Sequence, residues 1–491
     1  MRAYEKYGRN FKELFTMVKE RRKTVFTEGS IFDKLLLFIL PIMATNLLQT
    51  FYNAADMMVV SMSSESNAVG AIGTTTSFIN LVVNLFIGFS VGANVVVARA
   101  IGANDGAGAK KAVHTALLIG LMLGLLGCGI GLLVARPVLS LMGNQDNLLD
   151  LAVRYTQIYF LGIPFLALTN YLSAIFRAKG DAKTPLIILS ISGIINVLLN
   201  LFFVLVLKMS VEGVALATTA ANIFSVFLLL WRLSRDQDMT TFSFADLRLD
   251  KESFAEIVRI GLPAGIQGSL FSLSNMLIQS SVVSVNNASV PAGTEYQPIV
   301  NGNAASANLM NFIYAAMNAV TQGGVTFTGQ NMGAKKPERV KPVMYNCFLI
   351  TMIIGLTFTA LLFLLKVPLL SLYGVKQGAE GSLESMAFEA ANLRMWLICA
   401  PYFLAGLMDD CSGVLRGLGK SLLSTIISLI GVCLLRVVWL LTVFPFSQNL
   451  QTIFICYPIT WIITGMIDFI VIQILLKKII NEKHALEKES V

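Results

Sequence analysis

The chain carries one pattern twice. Breakers recur in the same order between apolar stretches of the two halves. The first half has Leu40-Pro41, Gly102-Ala103, Gly162-Ile163-Pro164 and Phe176-Arg177-Ala178-Lys179-Gly180-Asp181. The second has Leu262-Pro263, Gly333-Ala334, Cys399-Ala400-Pro401 and Leu415-Arg416-Gly417-Leu418-Gly419-Lys420. The pairs Pro41/Pro263, Gly102/Gly333, Pro164/Pro401 and Arg177/Arg416 lie 222, 231, 237 and 239 residues apart, with the largest slip in the turn-rich stretch 290–298. A duplication of this length, with small insertions, restricts the chain to two equivalent units built side by side.

Those units belong in a bilayer. With 55% hydrophobic and 13% charged residues and a mean hydropathy of +0.71, the 491-residue chain has too little polar surface to be a soluble protein. Apolar runs long enough to cross roughly 30 Å of hydrocarbon occur at 31–61, 68–100, 111–134, 151–176, 184–207, 211–233, 256–285, 298–328, 342–366, 387–414, 421–444 and 451–476. The expected fold is an all-α integral membrane protein of twelve transmembrane helices. Six spans per repeat return each unit to its starting side, so the repeats are parallel and related by a pseudo-twofold axis along the membrane normal. Several runs exceed the roughly 20 residues a span needs, which predicts tilt, kinks or extension beyond the bilayer.

Lysine and arginine set the orientation. One side collects Arg21, Arg22, Lys23, Lys110, Lys111, Arg177, Lys179, Lys183, Arg232, Arg235, Arg248, Lys251, Lys335, Lys336, Arg339, Lys341, Lys477 and Lys478. The other holds mainly Glu65, Asp146, Asp150, Glu212, Glu295, Glu380 and Glu384, with isolated Arg136, Lys208, Lys366 and Lys376. Both termini are therefore expected in the cytoplasm, with the protein in the plasma (inner) membrane. The organisation reads as a basic N-terminal segment (1–30), a first lobe (31–233), a cytoplasmic linker (234–255), a second lobe (256–476) and a cytoplasmic tail (477–491). The N-terminal segment has no evident small-residue cleavage site and reads as retained along the membrane surface. The net charge of +8 follows from this topology and does not call for a nucleic-acid partner.

Local composition adds packing detail. Gly120, Gly124, Gly127 and Gly131 put small residues along the third span, allowing a neighbouring helix close. Pro41, Pro164, Pro263 and Pro401 lie inside spans and permit bending. Cys128, Cys347, Cys399, Cys411, Cys433 and Cys456 show no C-x-x-C spacing and read as free buried thiols.

Enzyme signals are poor. The only histidines are His114 and His484, and neither H-E-x-x-H nor G-x-S-x-G occurs. Gly417-Leu418-Gly419-Lys420-Ser421 fails as a phosphate loop because Val414 stands where the leading glycine is required. An internal repeat inside a membrane chain is the usual signature of a secondary transporter, because two bundles around a midplane site can rock against each other. No cofactor is expected, and no metal beyond a sodium ion as coupling ion.

Energy coupling then rests on ionisable groups inside the spans, each of which costs at least about 2.5–3.5 kcal/mol to insert. Asp56 lies about 8 Å, at 1.5 Å per residue, below the outer end of span one. Asn196 and Asn200 share a face of span five, and Thr218 lies on span six at a similar depth. Three spans thus place oxygen-bearing side chains at one level, a polar chamber in which Asp56 takes up a proton or ligates sodium, or else merely caps the interface. Gln49, Tyr52, Asn53, Gln267, Asn275, Gln279, Asn308 and Asn311 are candidates for lining a cleft between the lobes, or for interhelical hydrogen bonds. Asp409 and Asp410, with Arg416 nearby, read as structural charges. Arg436 in mid-span needs a partner, and Asp468 is a further charge to be neutralised within the bundle.

Leu40-Pro41 followed by Asn53-Ala54-Ala55-Asp56, Gly92 through Gly102-Ala103, and Arg177-Ala178-Lys179-Gly180-Asp181 resembles the multidrug and toxic compound extrusion family, prokaryotic type, over about residues 31–476. Leu415-Arg416-Gly417-Leu418-Gly419 and Arg436 are similar to its second-lobe positions. The resemblance implies a secondary active antiporter that expels cationic or other amphipathic organic compounds in exchange for protons or sodium. It also implies a first-lobe ion site from a span-one aspartate, an Asn-x-x-x-Asp pair on span five and a span-six threonine. Asp56, Asn196 and Thr218 match. Asn200 departs, removing one titratable group and one anionic ligand. Some members carry a second-lobe acid on span seven, but Gln267-Gly268-Ser269-Leu270-Phe271 has none.

The resulting expectation is a cation-coupled exporter working by alternating access, a monomer whose partners are small organic substrates and membrane lipids. The alternatives are a lipid-linked sugar flippase of the same superfamily, which would want a basic cleft, and a non-transporting membrane scaffold or receptor, which would want a partner domain.

Overall fold

The computed structural model describes residues 26–61, 68–141, 146–291 and 296–489, and among them every regular element is helical. Arg21, Arg22, Lys23, Glu65, Glu295 and the side chain of Asp146 lie outside the described residues. The first repeat is α1 (Ile31–Ser61), α2 (Ala68–Gly102), α3 (Gly106–Leu141), α4 (Asp146–Ala178), α5 (Lys183–Leu201) and α6 (Val211–Ser234). The second begins with α7 (Lys251–Ser289), α8 (Pro298–Gly333), α9 (Val340–Leu364) and the short α10 (Lys366–Leu372). It continues with α11 (Leu383–Arg394), α12 (Phe403–Gly417), α13 (Ser421–Ser428), α14 (Leu435–Thr442) and α15 (Leu450–Glu489).

Twelve membrane-crossing units result. The pair α11 and α12 is one span bent by 43° where Pro401 removes a backbone donor. A wide turn at Leu429–Leu434 joins α13 to α14 as another span. Among the described residues nine spans are apolar enough to insert on their own composition, and the bent pair makes a tenth. The remaining two, α7 and α8, are 39 and 36 residues long but carry amides, hydroxyls and glycines throughout. They sit where the lobes meet, so their polar faces find protein rather than lipid.

Two boundaries differ from the sequence reading. The C-terminal segment 477–489 continues α15 as helix instead of forming a separate tail. The linker ends earlier than expected because Asp250 starts α7: its carboxylate accepts from the Ser253 backbone N–H at 3.0 Å and from its hydroxyl at 2.8 Å.

The lobes are in contact at the end of the bundle that carries the basic connections. There Phe26 stacks on Phe327 at 3.9 Å and Arg99 on α2 pairs with Glu256 on α7 at 2.6 Å. Gln330 on α8 donates to the Ala178 carbonyl at 2.8 Å. Halfway along the helices the contacts are Asn84 to Ser272 at 3.0 Å and Asn46 to the Ala315 carbonyl at 3.0 Å. The approach is closest at Gly102 and Gly333, where a Cβ on either would lie 2.0 Å from the backbone of the opposite lobe, and at Gly88 a Cβ would lie 2.2 Å from the α7 backbone. Within the first lobe the expected close packing of α3 occurs at Gly131, whose Cβ would fall 1.8 Å from the Phe160 ring.

Candidate functional site

The chamber starts from a glycine. Gly193 on α5 has no side chain, so the Tyr52 ring of α1 lies directly on it; a Cβ there would come within 1.9 Å of the ring. The Tyr52 hydroxyl donates to the Ser190 carbonyl at 3.1 Å. One turn further along α1, Asp56 then meets Asn200 of α5. The Asn200 amide donates to Asp56 Oδ1 at 2.6 Å, and Asn200 is fully buried. Ser192 completes the seam by donating to the Ala221 carbonyl of α6 at 2.5 Å, which brings Thr218 into the same chamber.

Asn196 bridges the set. In one orientation its amide nitrogen lies 3.3 Å from Thr218 Oγ1; after a half-turn of the amide, the nitrogen donates to Asp56 Oδ1 at 2.8 Å and the oxygen accepts from the Thr218 hydroxyl at 3.3 Å. Asp56, Asn196, Asn200 and Thr218 are thus one connected polar cluster. Asp56 makes no ion pair among the described residues, and the buried Oδ1 of Asn200 has no hydrogen-bond donor. One carboxylate ringed by amide and hydroxyl oxygens is the donor set that suits a hard monovalent cation or a proton. Directly after Asn200, α5 widens into a π turn at Phe202–Val206, the kind of irregularity that accompanies functional sites in helices.

The cleft candidates divide. Gln49, Asn53, Asn275, Asn308 and Asn311 are exposed, and Tyr52 and Gln279 are half-buried. Exposed amides at these depths are costly against hydrocarbon and favourable against water between the lobes. Gln267 does not join them. It is buried, and its oxygen accepts from Arg416 at 3.0 Å and from Thr425 at 3.3 Å.

The second-lobe charges have partners that sequence reasoning did not name. Asp410 is buried between Thr321 and Thr351, whose hydroxyls donate at 3.0 and 2.6 Å. Asp468 accepts from Ser412 at 3.2 Å. Arg416 donates to Gln267 and makes no ion pair with Asp409 or Asp410 among the described residues. Arg436 donates to Thr460 and Asn275, both at 3.3 Å, and lies 4.1 Å from the Tyr457 ring centroid. Arg394, missed in the sequence, is buried at the end of α11 and donates to Asn303 at 2.8 Å. Its signal was an unassigned charge inside a span.

Comparison with known proteins places the chain. The MatE family model matches it twice, over residues 41–202 and 263–442. "Probable multidrug resistance protein YoeA" of Bacillus subtilis is 27% identical over 415 residues, covering 83% of this chain and 85% of that protein. The multidrug export protein MepA of Staphylococcus aureus strain N315 is 22% identical over 416 residues, 84% of this chain and 87% of MepA. An outward-facing structure of a multidrug resistance MATE family transporter of the MOP superfamily superposes with a TM-score of 0.83 at 18% identity, covering 94% of this chain and 99% of that one.

Proposed function

Because the chain belongs to the multidrug and toxic compound extrusion family of membrane transporters, we propose that it is a secondary active antiporter, expelling amphipathic and cationic organic compounds in exchange for a proton or a sodium ion. The reading rests above all on Asp56, a lone carboxylate held by Asn200 beside a buried oxygen that has no donor. Such a site is incomplete without a cation.

The cycle follows from charge. An empty chamber carries one negative charge. Proton or sodium uptake cancels it, and α1, α5 and α6 then repack because the Asp56 and Asn200 hydrogen bond no longer joins an anion to a donor. With Asn200 neutral, Asp56 supplies the only charge in the four-residue set, so one monovalent cation per cycle satisfies it. Placing the basic end in the cytoplasm makes the form described above closed inward and open outward, with Gln49, Asn53, Asn275, Asn308 and Asn311 along the cleft. Alternating access then requires the contacts at the basic end to part while the outer halves close.

The test is dye efflux from proteoliposomes under an imposed proton gradient, an imposed sodium gradient, or neither. Efflux driven by one gradient identifies the ion. Coupled efflux that survives Asp56→Asn at wild-type rate would remove this reading.

A further inference from the structure

The duplication assigns a counterpart to every wall of the Asp56 chamber. Span five corresponds to the α13 and α14 span, span six to α15, and α1 to α7. At the repeat offsets of 222 and 239 residues Asp56 falls on Ile278 and Asn200 on Trp439; Asn275 on α7 and Arg436 on the eleventh span each stand about one turn earlier, and Thr460 faces them from α15. These three are hydrogen-bonded to one another through Arg436, as Asp56, Asn200, Asn196 and Thr218 are in the first lobe. Each of the two spans also carries a π turn, Phe202–Val206 after Asn200 and Leu429–Leu434 before Arg436. The chamber is repeated with its charge reversed.

A second cation joins it. Arg394 ends α11 at a third π turn, Met395–Cys399, and its guanidinium lies 5.9 Å from the centroid of the same Tyr457 ring that Arg436 covers at 4.1 Å. Both arginines are more than nine-tenths buried. Among the described residues neither has a carboxylate partner; Arg436 uses Asn275, Thr460 and the ring, and Arg394 uses Asn303 and the rings of Tyr457 and Phe454. The buried Nε of Arg394 has no acceptor at all. The lobe's buried acids do not serve them, since Asp410 is held by two threonines and Asp468 by Ser412. Two buried guanidinium ions around one ring repel each other, and an intramembrane charge without a counter-charge is expensive. The missing element is an anion.

We propose that Arg394, Arg436 and Tyr457 form an anion-binding site in the second lobe, taking a single carboxylate or halide. Guanidinium N–H groups offer the fork that a carboxylate accepts in bidentate fashion. Access runs from the cleft past α7, where exposed Asn275 touches Arg436 and Gln279 accepts from Asn303, the residue that holds Arg394. The site complements the cation chamber, so a zwitterionic compound finds opposite charges in the two lobes. Binding at this site does not depend on the exporter reading.

The experiment is a bromide titration of the purified full-length chain in halide-free gluconate buffer, read by tryptophan quenching; Trp461 lies 5.7 Å from the Tyr457 ring. Wild type should quench saturably. Arg436→Gln should weaken bromide binding at least tenfold. Asn303→Asp puts a carboxylate where the amide oxygen already meets Arg394, so it should abolish bromide binding while leaving the melting temperature equal or higher. A rhodamine with a free carboxylate should compete with bromide where its methyl ester does not, which marks the site as one for a substrate carboxylate. Failure of both dyes to compete, with bromide still bound, marks it as a halide site. Absence of saturable quenching in wild type, or bromide affinity in Asn303→Asp within twofold of wild type, would overturn the proposal whatever the outcome of the efflux assay.

Discussion

Asn200 of α5 and Asp56 of α1 are 144 positions apart in the chain and 2.6 Å apart in space, amide donor to carboxylate oxygen. The pair makes the chamber singly charged, and this fixes what substitution there should do. Asp56→Asn leaves the size unchanged and removes the charge, so ion-driven efflux should fall at least tenfold with the protein still folded. Asn200→Asp adds a second carboxylate, and two such groups in contact need a cation between them. Its expected phenotype is an increase in cations moved per substrate, read from the reversal potential of efflux in proteoliposomes.

The position of Asp56 depends on Gly193. Gly193→Ala drives a Cβ to within 1.9 Å of the Tyr52 ring, and overpacking of this kind costs about 1–3 kcal/mol. The ring should shift and carry Asp56 away from Asn200, lowering coupled efflux severalfold. The double variant Gly193→Ala with Tyr52→Ala relieves the clash and should recover thermal stability relative to Gly193→Ala alone. Melting curves in detergent, taken beside the efflux rates, check both halves.

Much of this site was legible because depth can be counted. Counting residues from the span ends sets Asp56, Asn200 and Thr218 at one level, which works when helices rise evenly. Rotation about the helix axis was harder to read. For Gln267 the sequence leaves the cleft and an interhelical hydrogen bond both open, and it turns inward to Arg416 and Thr425, because a long amphipathic surface on α7 offers polar residues on more than one face. Partners were not legible at all. Arg394 meets Asn303 from 91 positions away, and no local pattern announces that contact. By length of apolar run α7 and α8 resemble the other spans, although their polarity marks them as the helices that face the opposite lobe.

Asp410 should matter for stability through its hydroxyl partners. Thr321→Val or Thr351→Val removes one donor from a buried carboxylate, a loss of about 1–3 kcal/mol for each. The double variant should be worse than the sum, since the carboxylate is then left without either hydroxyl. Thermal unfolding in detergent provides the measurement.

The linker between the lobes carries a pH dependence. Lys179, in the turn between α4 and α5, contacts Asp236 and lies 3.2 Å from Asp238. Burial pushes the Asp238 carboxyl up, but Lys179 and the Thr240 hydroxyl and backbone N–H outweigh it and hold the group below its ordinary value. A depressed carboxyl stabilises the folded form above its unfolded value of about 3.9, and that contribution is lost as pH falls through the folded value. Amide exchange of residues 235–250, corrected for intrinsic rates, should therefore accelerate below about pH 4. In Lys179→Met the largest lowering influence is gone, and protection should decline at a higher pH.

The contact between the lobes halfway along their helices can be locked chemically. A Cβ built on Gly268 of α7 lies 3.3 Å from the Cβ of Asn84 on α2, close to the 3.5–4.5 Å that a disulfide spans. Asn84→Cys with Gly268→Cys, in a background where the six native cysteines are serine or alanine, should therefore crosslink under mild oxidation. The crosslink joins the lobes halfway along their helices, where alternating access requires them to part. Efflux should stop in the oxidised protein and return on reduction, while cation binding at Asp56, measured by its effect on melting temperature, persists in both. Unimpaired transport by the fully crosslinked protein would mean that the lobes do not separate there during the cycle.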